Sequence, residues 1–205
     1  MESRQKAPAG RPRGFDAEEA LERAVVVFWR QGYEGASLTD LTEAMGITRP
    51  SMYAAFGNKE ELFRKALERY SEGPGAYVAR ALEEPTARAV AAALLNGAVR
   101  ATTRPGYPTG CLGVQGALAT GEPGRRAHDV LIAWRNFNGS CVADRFRRAV
   151  TEGDLPPGTD PEQLACYLTS LSYGISVQAA SGVGPDELQQ VADTTLLNWP
   201  PVTSG

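Results

Sequence analysis

Residues 47–62 read ITRPSMYAAFGNKEEL, and this stretch contains the stop and start signals of two helices. Thr48 can accept a hydrogen bond from the first free backbone N–H groups. Pro50 falls in the first turn, where a missing N–H costs nothing, and Gly57 follows Phe56 as a terminator. Asn58 then caps the next helix, with Glu61 three residues on to complete a capping box. The spacing predicts a helix of about two turns after Thr48 and a longer one after Asn58.

Working back towards the N-terminus, Ser37 and Asp40 form a second capping box, Leu38, Leu41 and Met45 share one face, and Gly46 suits a left-handed stop. Before that, Asp16 caps a helix in which Leu21, Ala24, Val25 and Phe28 recur at helical spacing, with Gly32 as its expected end. Two short helices joined at Gly46-Ile47 and braced by a longer one on each side make a helix-turn-helix, whose second short helix is shaped for a DNA major groove. Met52 and Phe56, four apart, turn inward with Ile47. Arg49 is then free to bond a guanine edge, Pro50 and Ala54 to touch thymine methyls, and Ser51 and Tyr53 to reach phosphates. Lys59 brings a charge to the backbone beside the free N–H groups that begin the following helix.

Residues 15–63 resemble the DNA-binding head of the tetracycline-repressor (TetR/AcrR) family. The resemblance is carried by Gly32-Tyr33, the Ser/Thr-rich start at Ser37, Ser51-Met52-Tyr53-Ala54-Ala55-Phe56 and Lys59-Glu60-Glu61-Leu62. It implies DNA-contact positions at Thr39, Arg49, Pro50, Ser51, Tyr53 and Lys59, with Ala54 and Ala55 standing where many relatives have larger side chains. It further implies an all-α chain of about nine helices, a helix-turn-helix head followed by a helical effector-binding and dimerisation body. The expected partners are a double-stranded operator, a small-molecule effector that releases it, and a second copy joined through the last two helices.

Charge is distributed in keeping with this. The chain is net −3, yet Arg4, Lys6, Arg11 and Arg13 stand against Glu2 alone in the first fifteen residues. Pro8, Gly10, Pro12 and Gly14 break any helix there, so residues 1–14 read as a flexible basic arm, and Arg11 and Arg13 resemble a hook for an AT-rich minor groove. The expected division is arm 1–14, head 15–70 and body 71–205.

In the body, Pro85-Thr86 opens a helix towards Thr102, and residues 104–110 read as a loop. Gly110 to Leu118 reads as a small-residue helix, and further helices are expected over about 125–152, 160–181 and 186–198. Tyr107, Gln115, Trp134, Phe137, Tyr167 and Tyr173 are candidates for a mostly apolar effector pocket. Cys111 offers an alternative. Its Gly-Cys-Leu setting resembles a branch of the family in which a cysteine senses electrophiles or oxidants, and a helix start there would favour thiolate.

Three cysteines and a single histidine, His128, have no metal-ligand spacing, and no nucleophile elbow, P-loop or dinucleotide fingerprint is present. No cofactor, no metal and no enzymatic activity are expected. The longest apolar runs fall far short of a membrane span and the first residues lack a signal-like apolar block, so the expectation is a cytoplasmic protein. A helical binding protein without a DNA role is the remaining alternative.

Overall fold

The computed structural model describes residues 15–117, 121 and 124–200. The chain is all-α: α1 (Ala17–Gly35), α2 (Leu38–Met45), α3 (Arg49–Phe56) and α4 (Lys59–Glu72) form the N-terminal unit. After a 3-10 turn (Pro74–Ala76) come α5 (Tyr77–Leu82), α6 (Ala87–Thr102), α7 (Leu112–Gln115), α8 (Arg125–Glu152), α9 (Pro161–Ala180) and α10 (Pro185–Leu197). The described residues thus hold ten α-helices against an expected nine or so; α5 carries no strong sequence signal. No helix among them is long and apolar enough to cross a membrane.

The caps fall where the local chemistry puts them. Ser37 with Asp40, and Asn58 with Glu61, form reciprocal capping boxes, and Asp16, Thr48, Thr86 and Asp160 each accept from the first turn of their helices. Gly46 and Gly153 close α2 and α8 in the left-handed conformation. Gly57 is also at positive φ, and a Cβ there would sit 1.8 Å from the Glu61 carboxylate that caps α4.

Two elements depart from the sequence reading. Gly32 does not end α1: it kinks it, at φ 70 and ψ 177, and the chain resumes to Gly35. The kink frees the Tyr33 N–H, which donates instead to the Gly116 carbonyl at 2.7 Å. The small-residue segment after Gly110 is not a full helix but the single turn α7. Glycines at 110, 113 and 116 weaken helix propagation, and the Arg135 side chain draws the Gly113 and Val114 carbonyls to α8.

The described residues form two hydrophobic cores. One joins Phe28, Leu41, Met52, Leu62 and Phe63 of α1–α4, and extends through Tyr70 to Cys111, Leu112 and Leu131. The other packs Leu94, Leu95, Val142, Phe146, Leu168 and Leu188 of α6 and α8–α10. The first core therefore crosses from the N-terminal unit into α7 and the start of α8. Phe28, Tyr33 and Phe63 meet ring to ring at its centre, with Trp29 edge-on to Tyr70, so large apolar areas fix α1 and α4 together.

Candidate functional site

The exposed side of α3 carries Arg49, Pro50, Tyr53 and Ala54, while Met52 and Phe56 are buried. The Arg49 guanidinium is not loose: its Nη2 donates to the Thr39 hydroxyl of α2 at 2.8 Å. Two candidate residues thus brace each other on one exposed edge. Ser51 is half-buried, and its hydroxyl lies 2.9 Å from that of Thr48, so part of its hydrogen-bonding capacity serves the cap.

Lys59 lies in the first turn of α4, as expected, but is half-buried. Its ammonium lies 4.5 Å from the centre of the Tyr33 ring, and burial holds its pKa below the usual lysine value, against a smaller opposing pull from Glu34. The Tyr33 hydroxyl is pushed up, first by burial and then by Glu60 and Glu34. Sequence spacing could not have found Lys65, which reaches back ten residues to donate to the Ala55 carbonyl at the end of α3. The basic arm with Arg11 and Arg13 lies outside the described residues.

A second feature lies beneath the first unit. An apolar void of about 30 Å³ is walled by Cys111, Val114, Trp134 and Tyr173, together with Tyr77, Leu94, Asn138 and Val142. Three of the sequence candidates, Cys111, Trp134 and Tyr173, therefore come together. The other four do not line it. On α8 the residues 134, 138 and 142 face inward at four-residue spacing, which leaves Phe137 about 100° round from Asn138, and it is 67% exposed. Tyr167 is similarly off-phase from Thr169, which lines the void from α9. Tyr107 packs near Trp29 under the Arg104 guanidinium, and Gln115 turns back to the Thr109 carbonyl. Tyr77 and Asn138, which the sequence reading missed, complete the wall; each is brought there only by helix packing.

Cys111 is buried, and the Tyr70 hydroxyl of α4 donates to its Sγ at 3.2 Å. Burial outweighs that bond and the neighbouring N–H groups, so the thiol is pushed above its ordinary pKa. The expected helix-start effect is present in the Gly113 and Val114 N–H groups but is outweighed by burial. The Trp134 indole N–H donates to Ser71 of α4 at 2.8 Å. The lining of the void is thereby bonded to α4 at two points, from Cys111 and from Trp134 of α8, and the end of α7 is bonded through Gly116 to α1.

Known proteins decide what this arrangement belongs to. Residues 20–66 match the model described as bacterial regulatory proteins, tetR family, and residues 87–194 match that of the tetracyclin repressor-like C-terminal domain. The chain belongs to the TetR family. The HTH-type transcriptional repressor ComR of Escherichia coli K12 is 32% identical over 95% of this chain and 94% of its own. The HTH-type transcriptional regulator YezE of Bacillus subtilis 168 is also 32% identical, over 91% of this chain and 97% of its own. Among solved structures, a cysteine mutant of the TetR family regulator CifR, complexed with 26bp double-strand operator DNA, is 44% identical. It superposes at TM-score 0.88 over 93% of this chain and all of that one. A TetR regulator from Rhodococcus sp. RHA1, also 44% identical, gives 0.61 over 89% of this chain and 98% of its own. This TetR protein is accordingly a DNA-binding transcriptional regulator, with its helix-turn-helix in α2 and α3. Among its described residues no group of three or more His, Cys, Asp or Glu is placed to hold a metal ion.

Proposed function

We propose that this chain is a homodimeric repressor that binds a palindromic operator through residues 15–70 and is released by a small molecule bound in residues 71–205. It would act in the cytoplasm. Arg49, Pro50, Tyr53 and Ala54 read base edges and nearby backbone, Thr39 holds Arg49, and Ser51 and Lys59 contribute from the margin. Arg11 and Arg13 of the arm reach the adjacent minor groove. The operator-bound relative supports the DNA side of this reading.

The observation that carries release is the double attachment of α7. It walls the void through Cys111 and Val114, and the same few residues hold Tyr33 of α1 and Tyr70 of α4. A ligand that enlarges the void displaces α7, and with it the two helices that carry the recognition unit. Two recognition helices must sit about one duplex turn apart, ~34 Å, so a ligand preferring a different spacing lowers operator affinity, and the operator lowers ligand affinity equally.

Dimerisation through α9 and α10 is supported by composition: from Gln163 to Ala180 there is no charged residue, yet Cys166, Tyr167, Ser170, Gly174 and Val177 are exposed. Val191 and Leu197 extend that uncharged surface onto α10. A solvent-facing helix side without charge fits a self-complementary two-fold contact.

Selection of bound duplexes from a random pool tests the whole reading. The expected result is an enriched palindrome, bound by a dimer, from which at least one small molecule of a diverse set displaces the protein. An enriched site with no symmetry, or no enrichment, would sink it.

A second reading is favoured by one contact. Cys111 Sγ accepts from Tyr70, so a group added to that sulfur removes the bond and forces the void wall away from α4. Because its pKa is raised, Cys111 adds stability that is full below the ordinary thiol pKa and is lost as pH rises through the folded value. Its reaction with an alkylating electrophile should accelerate with pH over that range and lag behind that of exposed Cys166. If Cys111→Ser is released from the operator by the same electrophile at the same rate, the thiol has no sensing role.

A further inference from the structure

Outside the void a second concavity, of about 180 Å³, opens between the 3-10 turn with α5 and the end of α6. Arg80, Arg100 and Arg104 line it, and no acidic residue does. Elsewhere on the described surface Arg23, Arg64, Arg69, Arg126, Arg147 and Arg148 each have a carboxylate partner. Among the described residues, no ion pair or side-chain hydrogen bond engages Arg80, Arg100 or Arg104. Only Arg104 is steadied, its guanidinium stacked 4.4 Å from the centre of the Tyr107 ring. Arg80 and Arg100 lie in the last turns of α5 and α6, where one positive charge complements the helix dipole. That accounts for each alone. It does not account for three like charges converging on one hollow with no counter-charge, an arrangement that repels itself until an anion enters.

The hollow and the void share one lining side chain. Tyr77 lines both, and its ring lies across Gly97, where a Cβ would come within 2.4 Å of it. The two spaces are thus a charged mouth and an apolar interior divided by a tyrosine resting on a glycine. We infer that this TetR protein binds an amphipathic anion, its carboxylate or comparable head held by Arg80, Arg100 and Arg104, its apolar part directed past Tyr77 towards Trp134. The inference names the effector class for the release reading above and rests on it. Guanidinium forks suit such a head because they meet two oxygens at once. At about 30 Å³ the void holds little more than one water-sized group, so the apolar part enters by moving Tyr77.

The test is direct titration of the protein, without DNA, with octanoate and decanoate. The matched probes are octanol and decanol, and inorganic phosphate as a head without a tail. The variants are Arg100→Ala/Arg104→Ala and Arg80→Ala, all at exposed positions, with Arg100→Lys/Arg104→Lys as the charge-retaining control. Saturable binding of the alkanoates is expected, weakened at least about tenfold in the double alanine variant and partly kept by the lysine variant, with phosphate and the alcohols binding far more weakly. Alkanoates that fail to bind, or bind the double alanine variant as well as wild type, overturn it. A loss of operator affinity in that variant also overturns it, by assigning the groove to DNA backbone. Alkanoate binding that leaves the operator complex intact would uphold the site and refute release instead.

Discussion

Arg49→Ala lowers affinity for the selected operator by about tenfold to a hundredfold per half-site, with helicity and thermal stability unchanged. The magnitude follows from one bidentate arginine–base contact, worth about 1 to 3 kcal/mol. The fold should be indifferent, because Arg49 is exposed and its one bond within the protein is to the Thr39 hydroxyl. That bond is part of the prediction. An arginine already held at the edge of α3 loses less side-chain freedom on binding, so Thr39→Val should weaken binding by a smaller factor. Competition with scrambled duplexes separates base reading from phosphate contact. A base contact costs discrimination and leaves most of the salt slope, whereas a phosphate contact weakens all sequences alike and reduces the slope by about one. If Arg49→Ala binds the operator as wild type does, the recognition surface has been placed on the wrong residues of α3.

Gly113→Ala is expected to have the largest effect on the folded body. A Cβ at Gly113 would lie 2.4 and 2.5 Å from two atoms of the Trp134 ring, far inside van der Waals contact. Either the ring moves, which strains its bond to Ser71, or α7 moves, which strains the Arg135 bonds to the Gly113 and Val114 carbonyls. Overpacking of this kind costs about 1 to 3 kcal/mol, a fall in Tm on the order of 5 °C for a chain of this size. Trp134 fluorescence should shift as its indole leaves Ser71. Replacing the ring in Gly113→Ala/Trp134→Leu should recover part of the loss relative to Trp134→Leu alone, a coupling that a double-mutant cycle reads directly. An unchanged Tm in the single variant would show that α7 is free to shift at no cost, contrary to its role as the linked wall of the void.

The two predictions differ in how much of each could be read from the sequence. Everything needed for Arg49 lies within about ten residues of it: the Thr48 cap, the stops at Gly46 and Gly57, and the inward pair Met52 and Phe56 four apart. Caps, helix stops and helical phase are set by neighbours one to four positions away, so the starts of α1–α4 and the exposed side of α3 were legible in order, while the end of α1 was not. Lys59 was placed on the right turn, but its rest position over Tyr33 joins residues from two helices and has no local signature.

The body divides in the same way. The long helices α6, α8, α9 and α10 follow from caps and periodicity in the sequence alone. Which aromatic residues meet is another matter. Trp134 and Tyr173 share a wall and Phe137 and Tyr167 do not, because the packing of α8 against α9 selects one phase of each helix. Likewise α7 stays a single turn because Arg135, more than twenty residues away, claims its carbonyls, and the kink at Gly32 matters because Gly116 receives the freed N–H. The sequence by itself determined the caps, the starts of the long helices and which side of α3 is exposed, since their causes are short-range. Tertiary structure alone decided the void, its bonds to α1 and α4 and the three-arginine mouth, since each requires side chains distant in the chain to converge.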